Sequence, residues 1–472
     1  MNHRMAGSSE AAPLSVSASS PAASIKKPHG AAPPKPLAGR ARDALVFAAG
    51  VAAAVLVLLG SPSSVLVATG SGGIPLVSFP VPGPEDGPRT TFYDDPELSY
   101  DAVRGRRLTD WDAKRAAWLR SRGLATTGRS SPERVVMVSG SQPYPCHGDA
   151  GDHLLLRFLK NKLDYCRLHG IKLLYNRDFL HPSMTSLWAK IPIVRAAMLA
   201  HPDAEWIWWV DSDAVFTDMD FSLPLATRYA GRNFVAYGVT KDIKRKSWLA
   251  INAGVFLIRN CQWSLDLLDE WARMGPAYPE EHARWAKTVQ SALADKGNYT
   301  WLDDQSALVY LLLFNWERLG EKAFIETEYY LMVFWGDMVG QLDGIAARYE
   351  AVERRAPAEL GLRRRHAERE HLRYAAARNA AVGGKGGVPG PAGGGEDGWR
   401  RPLITHFTGC QPCSGGRNPA YSKESCDDGM RRALGFADDQ VLRAYGFRHA
   451  APLNDTVLPL PFDYPAARGR SN

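Results

Sequence analysis

Apolar positions are distributed along this chain in three distinct patterns. Residues 44–60, "ALVFAAGVAAAVLVLLG", carry no charge, and after "SPSS" the apolar run resumes in "VLVATG". About twenty apolar residues cross a bilayer as a helix, so 44–69 is expected to span a membrane. From 70 to about 130, Gly, Pro and Ser break the pattern and leave one helical stretch, "TDWDAKRAAWLRSR". Beyond it, short apolar runs alternate with longer stretches of helical period. "RVVMV" leads to "DHLLLRFLKNKLDYCRLHG", which Gly170 should stop; "IKLLYN" leads to "SLWAKIPIVRAAMLAHP". Then comes "EWIWWV", whose continuous apolar run Trp206–Val210 reads as a strand buried on both faces. "NFVAYGVT" and "AGVFLIRN" read as further strands, and "WSLDLLDEWARMG" as an amphipathic helix. "WLDDQSALVYLLLFN" opens with acids where a helix dipole favours them. Strands alternating with helices predict an α/β domain with a parallel sheet covered on both faces.

The resulting layout is a tail (1–43), a membrane anchor (44–69), a stem (70–130), a catalytic domain (131–460) and a C-terminal tail (461–472). Within the domain, "GGKGGVPGPAGGGEDG" (383–398) is a low-complexity loop expected to be disordered. The first segment is rich in Ala, Ser, Pro and Gly and cannot build a core. Its basic residues Lys26, Lys27, Lys35, Arg40 and Arg42 lie on one side of the apolar run, which orients the tail to the cytosol and the rest to a lumen. A cleaved signal peptide would place its apolar region nearer the start, and a transit peptide would not need one so long.

Composition narrows the class. The chain is 45% hydrophobic and 23% charged, ordinary for a folded protein, and its net charge of +7 does not point to nucleic acid. Its 14 tryptophans sit within apolar runs, where most belong to the core, and some are suited to face sugar rings. The six cysteines, Cys146, Cys166, Cys261, Cys410, Cys413 and Cys426, favour disulfides in a luminal domain. Cys410-Gln-Pro-Cys413 could be half of a zinc site, but no second pair at ligand spacing accompanies it. Asn298 and Asn454 open N-x-T sequons, where N-glycans would attach.

The chemistry concentrates at Asp211-Ser212-Asp213. Ligands of open α/β sheets bind beyond the carboxyl ends of the strands, and this triplet sits at such an end, as does Ser139-Gly140-Ser141. A D-x-D triplet after a strand has three readings: a solvated turn, the nucleophile motif of a haloacid dehalogenase-type phosphohydrolase, or the cation-holding motif of a nucleotide-sugar glycosyltransferase. In the phosphohydrolases the motif opens the fold, whereas two strand–helix units precede it here. A hard divalent cation takes one or two carboxylates plus phosphate oxygens, which favours the glycosyltransferase.

The segments "GDHLLLRFLKNKLDYCRLHGIKLLYN", "LWAKIPIVRAAMLAHPDAEWIWWVDSDAVFTDM", "INAGVFLIRNCQWSLDLLDEWARMGP", "DDQSALVYLL" and "THFTGCQPCSG" together resemble the plant family 34 glycosyltransferases. These are the galactomannan galactosyltransferases and xyloglucan xylosyltransferases. The resemblance implies a GT-A fold, a Rossmann-like, mostly parallel sheet flanked by helices, in a single-pass type II protein of the Golgi membrane. It implies that Asp211, Asp213 and His406 ligate Mn²⁺ (or Mg²⁺). Gly140, Ser141, Asp164 and Tyr165 would line the uridine pocket of a UDP-sugar, with Ser212, Lys190, Asn252 and Gln411 also on the donor. Asp303, Asp304 and Gln305 would lie near the transferred sugar and the acceptor, although Asp303-Asp304 also reads as a helix cap. Members retain the α configuration, and the acceptor is thought to attack on the face the nucleotide leaves. A double displacement would need Asp304 or Gln305 as nucleophile.

One departure stands out. The xylosyltransferase branch carries Lys after the Cys of its H-F-x-G-C motif, placed to meet the diphosphate, where this chain has Gln411; "HFTGCQPC" looks more like the galactomannan galactosyltransferase branch. UDP-galactose and a β-mannan backbone are therefore favoured over UDP-xylose and a xyloglucan backbone. The arginine- and glycine-rich stretch 363–398 looks longer than the family pattern and has no assigned role. A non-catalytic partner in a glycan-synthesising complex is the alternative from a different class; among partners, a homo- or hetero-oligomer with other glycosyltransferases fits the same reading.

Overall fold

The computed structural model describes residues 107–124, 134–147, 151–296, 301–355, 361–381, 401–451 and 456–464. The expected anchor, most of the stem, the glycine-rich loop, both sequon asparagines and residues 465–472 of the C-terminal tail lie outside them. Among the described residues no helix is long and apolar enough to cross a membrane.

Helix α1 (Trp111–Ser121) forms where the stem was expected to hold a helix, but it is docked. Trp111 is fully buried, and its indole donates to Asn260 Oδ1 at 2.8 Å. Arg115 donates to the carbonyls of Pro202 and Ala204. This helix is part of the globular unit and not a spacer. The expected alternation follows: β1 (Val135–Gly140), α2 (Gly151–His169), β2 (Lys172–Asn176), α3 (Lys190–Ala200) and β3 (Trp206–Val210). Gly170 stops α2 with a left-handed backbone, φ 64°.

The next elements are β4 (Ala214–Phe216), β5 (Phe234–Gly238), α4 (Thr240–Arg245), β6 (Ile251–Arg259), α5 (Gln262–Arg273), α6 (Pro279–Ala292) and α7 (Asp304–Phe314). After them come α8 (Trp316–Leu319), β7 (Ala323–Glu326), β8 (Val333–Phe334), α9 (Trp335–Met338), α10 (Leu342–Arg355) and α11 (Ala367–Ala381). The chain continues through β9 (Ile404–His406), α12 (Lys423–Ala444), β10 (Phe447–His449) and β11 (Val457–Pro459).

The main sheet has six strands in the order β2-β1-β3-β6-β5-β7. It is mostly parallel, but β6 runs against both its neighbours. A mostly parallel sheet was expected and is found; the one reversed strand is β6, joined to β5 by a connection that holds only a short helix. Strand β3 explains the apolar run. Trp206, Trp208 and Val210 enter the core on one face, Ile207 and Trp209 the core on the other. Each such side chain is worth about 1.5–3 kcal/mol on burial, so the strand is fixed at the centre of the sheet.

A second, three-stranded sheet, β4-β9-β8, carries the site. Strand β9 pairs antiparallel with β4, so that Ala214 opposes His406 from far along the sequence. Behind it, Arg378 of α11 and Arg401 donate to the buried Asp220 at 2.7 and 3.0 Å. Arg378 and Arg443 also reach Glu353. Part of the arginine-rich stretch therefore serves as a buried ionic tie between α10, α11 and α12.

Candidate active site

The β3 strand ends at Val210 and the chain turns at once. Asp211 N donates to Gly254 O at 2.8 Å, and Ala214 N returns to Asp211 O at 3.2 Å. This tight turn sits on a fully buried cation: Lys162 Nζ of α2 donates to Ser212 O at 3.2 Å and Ala214 O at 2.7 Å. Burial pushes the Lys162 ammonium down to about 7, against the pull of Asp213 and Asp211. Lys162 was not foreseen, because a lysine inside an amphipathic helix reads as solvent-facing.

The turn presents Asp211 and Asp213 to His406. The His406 Nε2 lies 3.1 Å from Asp213 Oδ1 and 3.7 Å from Asp211 Oδ2. One oxygen or nitrogen from each of the three lies within 4.8 Å of the others. Two hard carboxylates and one imidazole are a donor set that fits a divalent cation, and an imidazole suits manganese better than magnesium. The backbone is cut to fit: a Cβ on Gly254 would press into His406 Cε1 and sit 2.6 Å from Asp211 Oδ2. Thr408 Oγ1 is 3.2 Å from His406 Nδ1, a partner that leaves Nε2 turned to the acids. Burial works against the charge on Asp213, but His406 and Lys162 hold its carboxyl below the ordinary value. His406 is raised, since the two aspartates outweigh its burial.

Lys190 opens α3 and bridges two acids. It is 3.3 Å from Asp211 Oδ1 and 2.8 Å from Asp304 Oδ2, and it donates to Ala253 O at 3.1 Å. Burial lowers the lysine, but Asp211 and Asp304 more than offset that and keep it charged. Burial lifts the Asp304 carboxyl to about 6, although Lys190 pulls it down. Trp209 Nε1 donates to Asp211 Oδ1 at 2.6 Å. Gln411 Nε2 donates to Asp213 Oδ2 at 3.2 Å.

Asn252 and Gln305 join the β6 strand to the α7 N-terminus. Asn252 Nδ2 donates to Gln305 Oε1 at 3.2 Å, and Asn252 Oδ1 accepts from Gly254 N at 2.8 Å. Both line a cleft of about 680 Å³ whose walls include Tyr237, Trp248, Tyr330, Phe334 and Tyr421. Gly140 ends β1, two residues past the Val138–Trp209 pair and thus level with Asp211. Its lack of a side chain lets β1 approach β2, since a Cβ would stand 2.7 Å from Asn176 O; Ser141 N bonds that same carbonyl at 3.0 Å.

Three expected residues are not brought to this cluster. Tyr165 is fully buried, with its ring stacked on Phe216 and its hydroxyl donating to Phe221 O at 2.7 Å. Asp164 pairs with Lys160 at 2.5 Å and lines a hollow with His371 and Tyr445. Helical geometry explains Asp164, which lies two residues on from Lys162 and so on the far side of α2; Tyr165 shares the Lys162 face but sits one turn further along, against Phe216 of β4. Asp303 is the α7 cap: it accepts from Ser306 N at 2.6 Å and Ser306 Oγ at 2.8 Å, and pairs with the buried Lys296 at 3.2 Å. The cysteines of Cys410-Gln-Pro-Cys413 pair outward, to Cys426 and Cys146, and hold no zinc pair; Cys166 and Cys261 are free thiols.

Residues 131–416 match the model of the galactosyl transferase GMA12/MNN10 family. This chain belongs to that family. The glycosyltransferase is 58% identical to "Probable glycosyltransferase 6" of Oryza sativa subsp. indica, over 98% of this chain and 99% of that protein. It is 48% identical to "Galactomannan galactosyltransferase 1" of Cyamopsis tetragonoloba, over 83% of this chain and 86% of that one. It is 41% identical to "Probable xyloglucan 6-xylosyltransferase 5" of Arabidopsis thaliana, over 78% and 71%. As a plant family 34 glycosyltransferase it takes a nucleotide-sugar donor, and the phosphohydrolase reading is set aside.

Proposed function

We propose that this glycosyltransferase moves galactose from UDP-galactose to a β-mannan backbone, with retention of the α configuration. The observation that carries the reading is the aromatic cleft meeting the Asp211-Asp213-His406 cluster at Asn252 and Gln305. Aromatic faces pack on pyranose rings, and an amide pair at the junction can hold a sugar hydroxyl. The higher identity to a galactomannan galactosyltransferase than to a xyloglucan xylosyltransferase supports galactose over xylose.

The cluster would hold a divalent cation, which when bound supplies positive charge facing the diphosphate as the sugar departs. Lys190, kept charged, fixes Asp211 and Asp304 in one geometry. Asp304 is paired with Lys190, and Gln305 Oε1 accepts from Asn252 and Ala253 N. Both are thus held by neighbours and buried or part-buried, which supports direct transfer on the face the nucleotide leaves. The leaving phosphate then takes the acceptor proton.

The same reading places the protein in the Golgi membrane as a single-pass type II chain. Its two disulfides support an oxidising lumen. To test the reading, the solubilised chain is given Mn²⁺, mannohexaose and either UDP-galactose or UDP-xylose, and products are read by mass. A hexose added from UDP-galactose, and lost in Asp213→Ala, supports it. A pentose added from UDP-xylose moves the protein to the xylosyltransferase branch. No transfer from either, by a chain that still binds UDP, favours the non-catalytic role.

A further inference from the structure

Gln411 is an exposed residue, yet its side chain meets the buried Asp213. The two oxygens of Asp213 have separate partners: Oδ1 faces His406 Nε2 at 3.1 Å, and Oδ2 accepts from Gln411 Nε2 at 3.2 Å. An ionised carboxylate only accepts hydrogen bonds, so the amide must turn its NH₂ toward it. The Asp213 backbone is fixed as well, because its carbonyl accepts from Phe407 N at 2.9 Å.

The glutamine is held in place by its own surroundings. Gln411 N donates to Gly416 O at 2.8 Å, and Gly415 N returns to Gln411 O at 3.1 Å. On one side Cys410 is bonded to Cys426 of α12; on the other, two residues on, Cys413 is bonded to Cys146 ahead of α2. A long, solvent-facing side chain is ordinarily free to rotate. Here the loop that bears it is closed by backbone bonds and cross-linked at both ends.

We propose that Gln411 is a positioning residue for the cation site: its amide sets the plane of the Asp213 carboxylate and does not act on the nucleotide. This rests on Asp211, Asp213 and His406 being the ligand set and adds what orients it. A neutral donor also leaves the negative charge of the cluster intact.

The test uses the full chain in detergent without nucleotide, with Mn²⁺ binding followed by loss of the free-ion EPR signal. Gln411→Met keeps the length of the side chain and removes the donor. Partners of this kind typically contribute 10–100-fold to metal affinity. The Mn²⁺ dissociation constant is expected to rise by about 10-fold or more in Gln411→Met, with an unchanged melting temperature. Binding of UDP in metal-free buffer is expected to stay as in the unmodified chain. Unchanged Mn²⁺ affinity with weakened metal-free UDP binding would overturn the proposal and put Gln411 on the nucleotide. A lowered melting temperature with unchanged Mn²⁺ affinity would overturn it in favour of a structural role. If Asp213→Ala binds Mn²⁺ as the unmodified chain does, the ligand set itself is wrong, and this inference falls with it.

Discussion

Gly254 shows how one missing side chain shapes this site. It lies in β6, opposite the point where the chain turns out of β3, and its carbonyl takes the Asp211 amide at 2.8 Å. A methyl there would press on His406 and stand 2.6 Å from Asp211 Oδ2. Neither neighbour can yield without leaving the cluster. We expect Gly254→Ala to lower kcat/KM by on the order of 100-fold, the usual cost of a displacement near 1 Å. Its melting temperature should fall modestly, since overpacking costs about 1–3 kcal/mol. Activity that survives intact alongside a folded protein would show that the three groups do not work as a set. In the sequence, "AGVF" reads as an ordinary strand, and only the packing of β6 on β3 exposes the need for glycine. Lys162 is hidden for the same reason, as its partners are carbonyls of a turn 50 residues away.

At the scale of elements, the α7 helix carries the junction between cleft and cluster, and its first turn divides three polar residues among three tasks. Asp303 caps the helix and holds Lys296, Asp304 pairs with Lys190, and Gln305 reaches Asn252. The triplet "DDQ" was legible as important, and the cap was foreseen, but the division of roles was not. Periodicity places side chains on a face without saying what that face meets. Losing the cap alone costs about 1 kcal/mol. Asp303→Ala would also strand Lys296, which is 2% exposed, and breaking a buried pair costs about 3–5 kcal/mol. A urea titration should therefore show Asp303→Ala destabilised by about 3 kcal/mol or more, with Asp303→Asn milder because it keeps the cap. A loss near 1 kcal/mol would show that Lys296 finds another partner.

For the whole molecule, the buried tie of Asp220, Arg378, Arg401, Glu353 and Arg443 links segments far apart in sequence. Burial by itself raises the Asp220 carboxyl, but Arg378 and Arg401 prevail and hold it at about 2, below the ordinary 3.8. A depressed carboxyl stabilises the fold above the unfolded value and loses that contribution as the pH falls from 3.8 through about 2. The shift corresponds to on the order of 2 kcal/mol. Asp220→Asn should lower stability at pH 7 by at least this order, and the gap to the unmodified chain should narrow between pH 4 and pH 2 in melts followed by circular dichroism. A gap constant over that range would remove the charge from the explanation. This tie also gives the arginine-rich stretch a place. Arg378 holds α11 against the body of the domain, a role that its composition alone did not assign.

By itself, the sequence determined the local architecture: the order of strands and helices, the doubly buried β3 strand, the D-x-D turn at its carboxyl end and the Gly170 stop. These follow from apolar periodicity and backbone preference within windows of a few residues, which tertiary contacts rarely override when the pattern is this strong. The resemblance carried by its motifs also pointed to His406 as the third member of the cluster. Tertiary structure alone decided the reversed direction of β6, the docking of α1, the outward pairing of Cys410 and Cys413, and the burial of Tyr165. Each depends on which distant segment packs against which face, a matter of three-dimensional complementarity that no local window of sequence contains.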